Sequence, residues 1–141
     1  QNSEIYFKLL KTQVFEPSCV SLITEPAYYE KETIITEKTI MAIYGGTIPI
    51  WVGGWKIADY MKKIGFDIFD DLVDHSYQNL SDPAERCRRA IIDNIHLLKK
   101  LTIVDYKRLW HNYNLLKSNP WLTQINSLIE IYPSLRITWP T

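Results

Sequence analysis

Two short apolar runs, separated by a polar stretch and a helical pattern, organise this chain. Residues 19–23 read Cys-Val-Ser-Leu-Ile and residues 47–52 read Thr-Ile-Pro-Ile-Trp-Val. Both are short, rich in β-branched residues and bounded by turn residues, which suits buried strands of a parallel sheet. Between them Thr36-Glu37-Lys38 opens a short helix that Gly45-Gly46 closes, and Gly53-Gly54 ends the second strand. The pattern is strand, loop, helix, strand. Such a unit closes as a right-handed crossover with parallel strands, so the helix starts near the carboxyl end of the first strand. Open α/β sheets bind their ligands at that end.

Downstream the pattern turns helical. Ile57, Tyr60, Met61 and Ile64 recur at helical spacing between Gly54 and the stop at Gly65, and residues 66–69 form a shorter strand-like piece. Asp82-Pro83-Ala84-Glu85 is a helix start, with Pro at the first helical position and Glu placed to complete a capping box. Cys87, Ala90, Ile91, Ile95 and Leu98 would form the apolar face of that helix, leaving Arg86, Arg88 and Arg89 on a solvated face. Tyr106, Leu109, Trp110, Tyr113 and Leu116 mark the next helix, and Asn119-Pro120 starts a last one over 119–131. Three helices therefore fill the C-terminal half. On the N-terminal side residues 4–11 fit a helix end or a strand, and Pro17 places a turn at 15–18. The loop at 24–33 is long for a strand-to-helix connection, which fits either a functional loop or a solvated one. The expected fold class is α/β: a single Rossmann-like domain over residues 1–132, with a small parallel sheet, a helical C-terminal half and a loosely held tail at 133–141. No repeat, low-complexity tract or linker interrupts it.

Composition narrows the partners. The chain has 141 residues, enough for one domain with a proper core. Sixteen basic and sixteen acidic residues cancel without long runs of one sign, which argues against nucleic acid or an anionic membrane as partner. No apolar stretch reaches the roughly 18 residues of a membrane span and no signal peptide opens the chain, so it reads as soluble and cytoplasmic. Cys19 and Cys87 read as buried thiols, and His75, His96 and His111 lack ligand spacing. Asp67, Asp70, Asp71 and Asp74 crowd one span but lack an Asp-x-Asp pattern, so they read as a polar turn, and no metal site is expected.

The chemistry concentrates at the first helix start. The Thr36 hydroxyl can accept from a first-turn N–H, leaving the remaining donors to face outward. Those donors, the helix dipole and the Lys38 ammonium suit a diphosphate. Glu37 can accept hydrogen bonds from both hydroxyls of a ribose. The plain alternative is ordinary capping with a solvated charge pair. Trp51 and Trp55 beside the Gly53-Gly54 turn can offer a ring to a base or a sugar, or pack into the core.

The run Thr36-Glu-Lys, a short helix, then Gly-Thr-Ile-Pro-Ile-Trp-Val-Gly resembles the signature of the α1,3-fucosyltransferase family and of similar phage and bacterial glycosyltransferase-like sequences. The resemblance covers about 35 residues. It implies the C-terminal, nucleotide-sugar-binding half of a GT-B fold, with Glu37 on the ribose, Lys38 on the phosphates, and Thr36, Gly53 and Gly54 completing the donor site. Pro49, which alone suggests an edge strand or a bulge, belongs to the family motif. The fucosyltransferases carry an aromatic residue where this chain has Ile34, and the base and sugar of the donor stay open. A GT-B enzyme needs two Rossmann-like halves and this length holds one. The general base of the resembling family lies in the other half, and no catalytic residue is identified here.

The expected function is therefore glycosyltransferase donor binding. It would use a nucleotide diphosphate sugar as substrate and no cofactor, need no metal, and leave the enzyme incomplete. Partners implied are the donor, an acceptor glycan or other hydroxyl compound, and either a missing N-terminal domain or a second copy. The alternative is a non-catalytic nucleotide-binding or structural α/β module.

Overall fold

The computed structural model describes residues 19–25, 33, 35–53, 55–100 and 104–118. Expectations for residues 4–11, 15–18, 119–131 and 133–141, most of the 24–33 loop, Ile34 and Gly54 lie outside these. In chain order the elements are β1 (Val20–Ile23), α1 (Glu37–Tyr44), β2 (Ile48–Trp51), α2 (Ile57–Lys63), a 3-10 turn (Ser76–Asn79), α3 (Pro83–Ile92), α4 (Ile95–Lys99) and α5 (Tyr106–Lys117). β1 and β2 pair in parallel with Val20 opposite Ile48 and Ile23 opposite Trp51. The chain is a small α/β domain built on the expected strand–loop–helix–strand unit.

Pro49 fits this sheet for a simple reason. Ile48 N–H donates to the Cys19 carbonyl and Val52 N–H to the Ile23 carbonyl, both at 2.8 Å, so the even-numbered positions of β2 turn toward β1. Successive peptides alternate, and Pro49 and Trp51 face away. The missing donor of Pro49 costs this pairing nothing. Trp51 N–H finds the Tyr77 hydroxyl at 3.0 Å instead.

Side-chain alternation divides the core between the two faces of the sheet. Ile23 and Trp51 join Ile40 and Ile43 of α1, Met61 of α2 and Leu116 of α5. Ile48 and Ile50 meet Phe69, Val73, Tyr77 and Ala90 on the other face. Helix limits follow local chemistry. Gly46 (φ 73°) and Gly65 (φ 105°) take the left-handed conformation just past α1 and α2. Asp105 caps α5 by accepting from Lys107 N–H at 2.9 Å.

Four expectations are corrected. Residues 66–69 are not a strand: the Asn112 side chain accepts from Asp67 N–H and donates to the Asp67 carbonyl, both at 2.7 Å, as a neighbouring strand would, and Phe69 bends away with φ 56°. The expected helix through Leu98 is two, α3 and α4, broken by a wholly buried Asn94. That break turns the buried face to Arg86, Ala90 and Leu97, while Ile91, Ile95 and Leu98 are exposed and Cys87 is half-buried. Glu85 does not complete a capping box. Asp82 caps α3 by accepting from Glu85 N–H at 2.9 Å, but the Glu85 carboxylate grips the Arg88 guanidinium at 2.6 and 2.9 Å. Cys19 likewise is half-buried and free.

Among the described residues no helix is long and apolar enough to cross a membrane.

Candidate functional site

The helix start at Thr36 lies where the crossover predicts. Thr36 is extended (φ −118°) and its hydroxyl accepts from Lys38 N–H at 3.3 Å, so it is the N-cap. The other donors do not all face outward, which corrects the expectation. Two residues past β1, the Glu25 side chain is buried beneath the helix end, with 3% of its surface exposed. One oxygen accepts from Thr36 N–H at 3.2 Å, Thr39 N–H at 3.3 Å and the Thr39 hydroxyl at 2.5 Å; the other accepts from the Thr36 hydroxyl at 2.5 Å. A carboxylate of the chain itself thus occupies the favourable end of the α1 dipole.

Glu25 also ties the helix to the second strand. The buried Trp51 indole N–H donates to the Thr39 hydroxyl at 3.0 Å, and that hydroxyl passes its own proton toward Glu25. A relay runs from the C-terminal end of β2 through the first turn of α1 to the exit of β1. Trp51 therefore packs in the core and offers no ring to a ligand.

Glu37 and Lys38 project from this anchored turn. Their side chains are 53% and 48% exposed and pair with one another at 3.2 Å. The backbone N–H of Glu37, and then Lys38, hold the Glu37 carboxyl below the usual carboxylate range. An exposed pair of this kind contributes only about 0–1 kcal/mol, so exchanging it for a ligand's hydroxyls and phosphate costs little. Backbone and side chains here divide the work: the backbone is locked by Glu25 and the charged tips are available.

At the end of β2, Gly53 is buried and adopts φ 99°, a conformation strained for any side chain. Its carbonyl accepts from Arg86 Nε at 3.1 Å, and Arg86 also donates to the Leu80 carbonyl at 2.9 Å. Arg86 is fully buried rather than solvated, and its guanidinium lies 5.4 Å from the centre of the half-buried Trp55 ring. Arg86 thus holds the turn that follows β2. Sequence reasoning placed it with Arg88 and Arg89, which do remain near the surface, paired with Glu85 and Asp93.

The remaining polar clusters are accounted for by packing. Arg108 binds Asp67 and Asp71 through paired hydrogen bonds of 2.6–3.0 Å and lies 4.6 Å over the Phe69 ring. Burial pulls the Asp67 carboxyl upward, but Arg108 and the Phe69 N–H outweigh it and keep it low. Lys62 pairs with Asp70, and Asp74 accepts from Ser76 N–H at 2.9 Å. Buried His75 sits between the Ile68 carbonyl, 2.7 Å from Nε2, and the Tyr77 hydroxyl, 3.3 Å from Nδ1; desolvation lowers its pKa. Among the described residues no group of three or more His, Cys, Asp or Glu side chains is placed to hold a metal ion.

Of the residues expected to form a site, Thr36, Glu37 and Lys38 share one helical turn and Gly53 closes the strand that follows. Glu25, missed by sequence reasoning, lies eleven residues before Thr36 with no local motif to mark it. Compared with known proteins, this chain matches no family model, no curated protein and no solved structure.

Proposed function

We propose that this chain is the donor-binding domain of a glycosyltransferase and takes a nucleotide diphosphate sugar as substrate. The observation that carries the reading is the placement of Glu37 and Lys38, adjacent, half-exposed and held on a rigid first turn at the carboxyl end of two parallel strands. That end is where open α/β sheets bind ligands. Glu37, kept ionised, is suited to the two ribose hydroxyls. Lys38 brings a mobile cation to the diphosphate, and Gly53, buried with its carbonyl on Arg86, fixes the turn that follows β2.

In the transfer, the acceptor hydroxyl attacks the anomeric carbon as the bond to the diphosphate oxygen breaks. Lys38 meets the charge that develops on the leaving phosphate, a preorganised electrostatic contribution. The proton of the acceptor goes to a base in the other half of a two-domain enzyme, so this domain binds donor and does not transfer by itself.

Calorimetric titration with GDP, UDP and their sugars tests the reading, beside a Glu37→Ala, Lys38→Ala double variant. One nucleotide should bind, and the variant should bind at least about tenfold more weakly, the equivalent of losing one charge-assisted hydrogen bond. Equal binding by both proteins, or binding of no nucleotide, leaves Thr36–Lys38 as helix capping and makes the non-catalytic α/β module the better description.

A further inference from the structure

We infer that Glu25 is the resident anion of the α1 N-terminus, and that as a positioning residue it excludes phosphate from the helix end and assigns the donor's phosphates to the Lys38 side chain. The second part rests on the proposed function; the first does not. A helix N-terminus in an α/β crossover ordinarily presents N–H groups and a positive dipole end to a bound phosphate. Here that position holds a carboxylate from the chain. Its two oxygens collect two peptide N–H groups and two hydroxyls, a donor set of the kind that a phosphate would use.

The competition is direct. Thr36 N–H and Thr39 N–H point at Glu25, Lys38 N–H is taken by the Thr36 hydroxyl, and Ile40 N–H returns to the Thr36 carbonyl at 3.4 Å. A ligand phosphate arriving at this end meets a buried negative charge and few open donors. Lys38 sits two residues beyond the cap, on the exposed side of the same turn, and among the described residues its ammonium pairs with the exposed Glu37 alone. Glu25 therefore does two things at once. It satisfies the helix end without a ligand, so the turn is formed before the donor arrives, and it leaves a flexible cation as the phosphate contact.

The relay to Trp51 gives this arrangement a signature. Trp51 Nε1–H reaches Glu25 only through the Thr39 hydroxyl, so the indole proton reports on the carboxylate.

Thermal melts in inorganic phosphate, with chloride controls at matched ionic strength, test the inference on the full chain, Glu25→Ala and Lys38→Ala. Removing the side chain of Glu25 opens its niche. Phosphate should then raise the Tm of Glu25→Ala by about 3–8 °C at tenfold its dissociation constant, and should do so equally when Lys38→Ala is added, because the anion sits on N–H groups and hydroxyls. The native chain should show no such rise. A native chain stabilised as much as Glu25→Ala, with or without Lys38, would mean that the helix end is open to phosphate and would overturn the inference. If Glu25→Ala does not fold, Glu25→Gln decides: its Trp51 indole resonance and the Thr36 and Thr39 amide resonances should move together, whereas an unmoved indole resonance counts against the relay. Failure of nucleotide to bind the native chain bears on the donor reading alone and leaves the phosphate melts interpretable.

Discussion

Thr39→Val removes one hydroxyl from the centre of the relay and keeps the volume and the branch at Cβ. Thr39 is 1% exposed, so no water replaces what is lost. Two hydrogen bonds disappear. The hydroxyl donates to the Glu25 carboxylate at 2.5 Å, and a bond to a charged group contributes about 1.5–3 kcal/mol. It also accepts from Trp51 Nε1–H at 3.0 Å, and stranding that buried donor costs about 1–3 kcal/mol. Glu25 keeps three donors, Thr36 N–H, the Thr36 hydroxyl and Thr39 N–H, which limits the first loss. The added methyl offsets roughly 0.8 kcal/mol by burial, and Val and Thr have similar helix propensities. The net loss should be about 2–4 kcal/mol, or roughly thirtyfold to a thousandfold in the folding equilibrium. Urea denaturation followed by far-ultraviolet circular dichroism measures it, with Thr39→Ser as the companion that keeps the hydroxyl and loses only a methyl group. Thr39→Val should be the less stable of the two. A Thr39→Val protein within about 1 kcal/mol of the native chain, or more stable than Thr39→Ser, would refute the argument.

Two further outcomes follow from buried polar groups. Asn94 is fully buried; it accepts from Asp74 N–H at 2.7 Å and donates to the Asp74 and Ala90 carbonyls at 2.9 Å, so Asn94→Ala should lose about 2–4 kcal/mol in the same urea assay, and a loss under about 1 kcal/mol would contradict its role as the joint between α3 and α4. His75 is held below its ordinary pKa of 6.5 by desolvation, so the unfolded chain takes up the proton first. The stability that this shift contributes is complete above pH 6.5 and is lost as pH falls through the lowered value; His75→Gln should flatten the decline just below pH 6.5, and an unchanged slope there would show that His75 is not its source.

The parts of the site differ in how far their signals travel along the chain. Thr36 as N-cap, Gly46 and Gly65 as left-handed stops, and the Asp82-Pro83 helix start are each written within two or three residues, because capping and turn chemistry is local. The alternating faces of β2 are equally local, and they separate Ile48 and Ile50 from Trp51 before any tertiary packing is known. Glu25 carries no such mark. A single glutamate in a polar loop resembles any solvated one until β1 and α1 are brought together across eleven residues.

By itself, then, the sequence determined the parallel strand–loop–helix–strand unit and the turn that presents Glu37 and Lys38, because hydrophobic period and capping residues act over short spans. The tertiary structure decided which charges are buried and which are free. Arg86 is enclosed because the Gly53 and Leu80 carbonyls converge on it, from positions 33 and 6 residues away. Residues 66–69 lose their expected strand because Asn112, forty-five residues beyond Asp67, takes both of that residue's backbone hydrogen bonds. Helix α3 ends early because Asn94 satisfies Asp74. In each case a polar side chain meets groups distant in sequence, and burial makes that pairing decisive because an unmade hydrogen bond there costs more than a local propensity contributes.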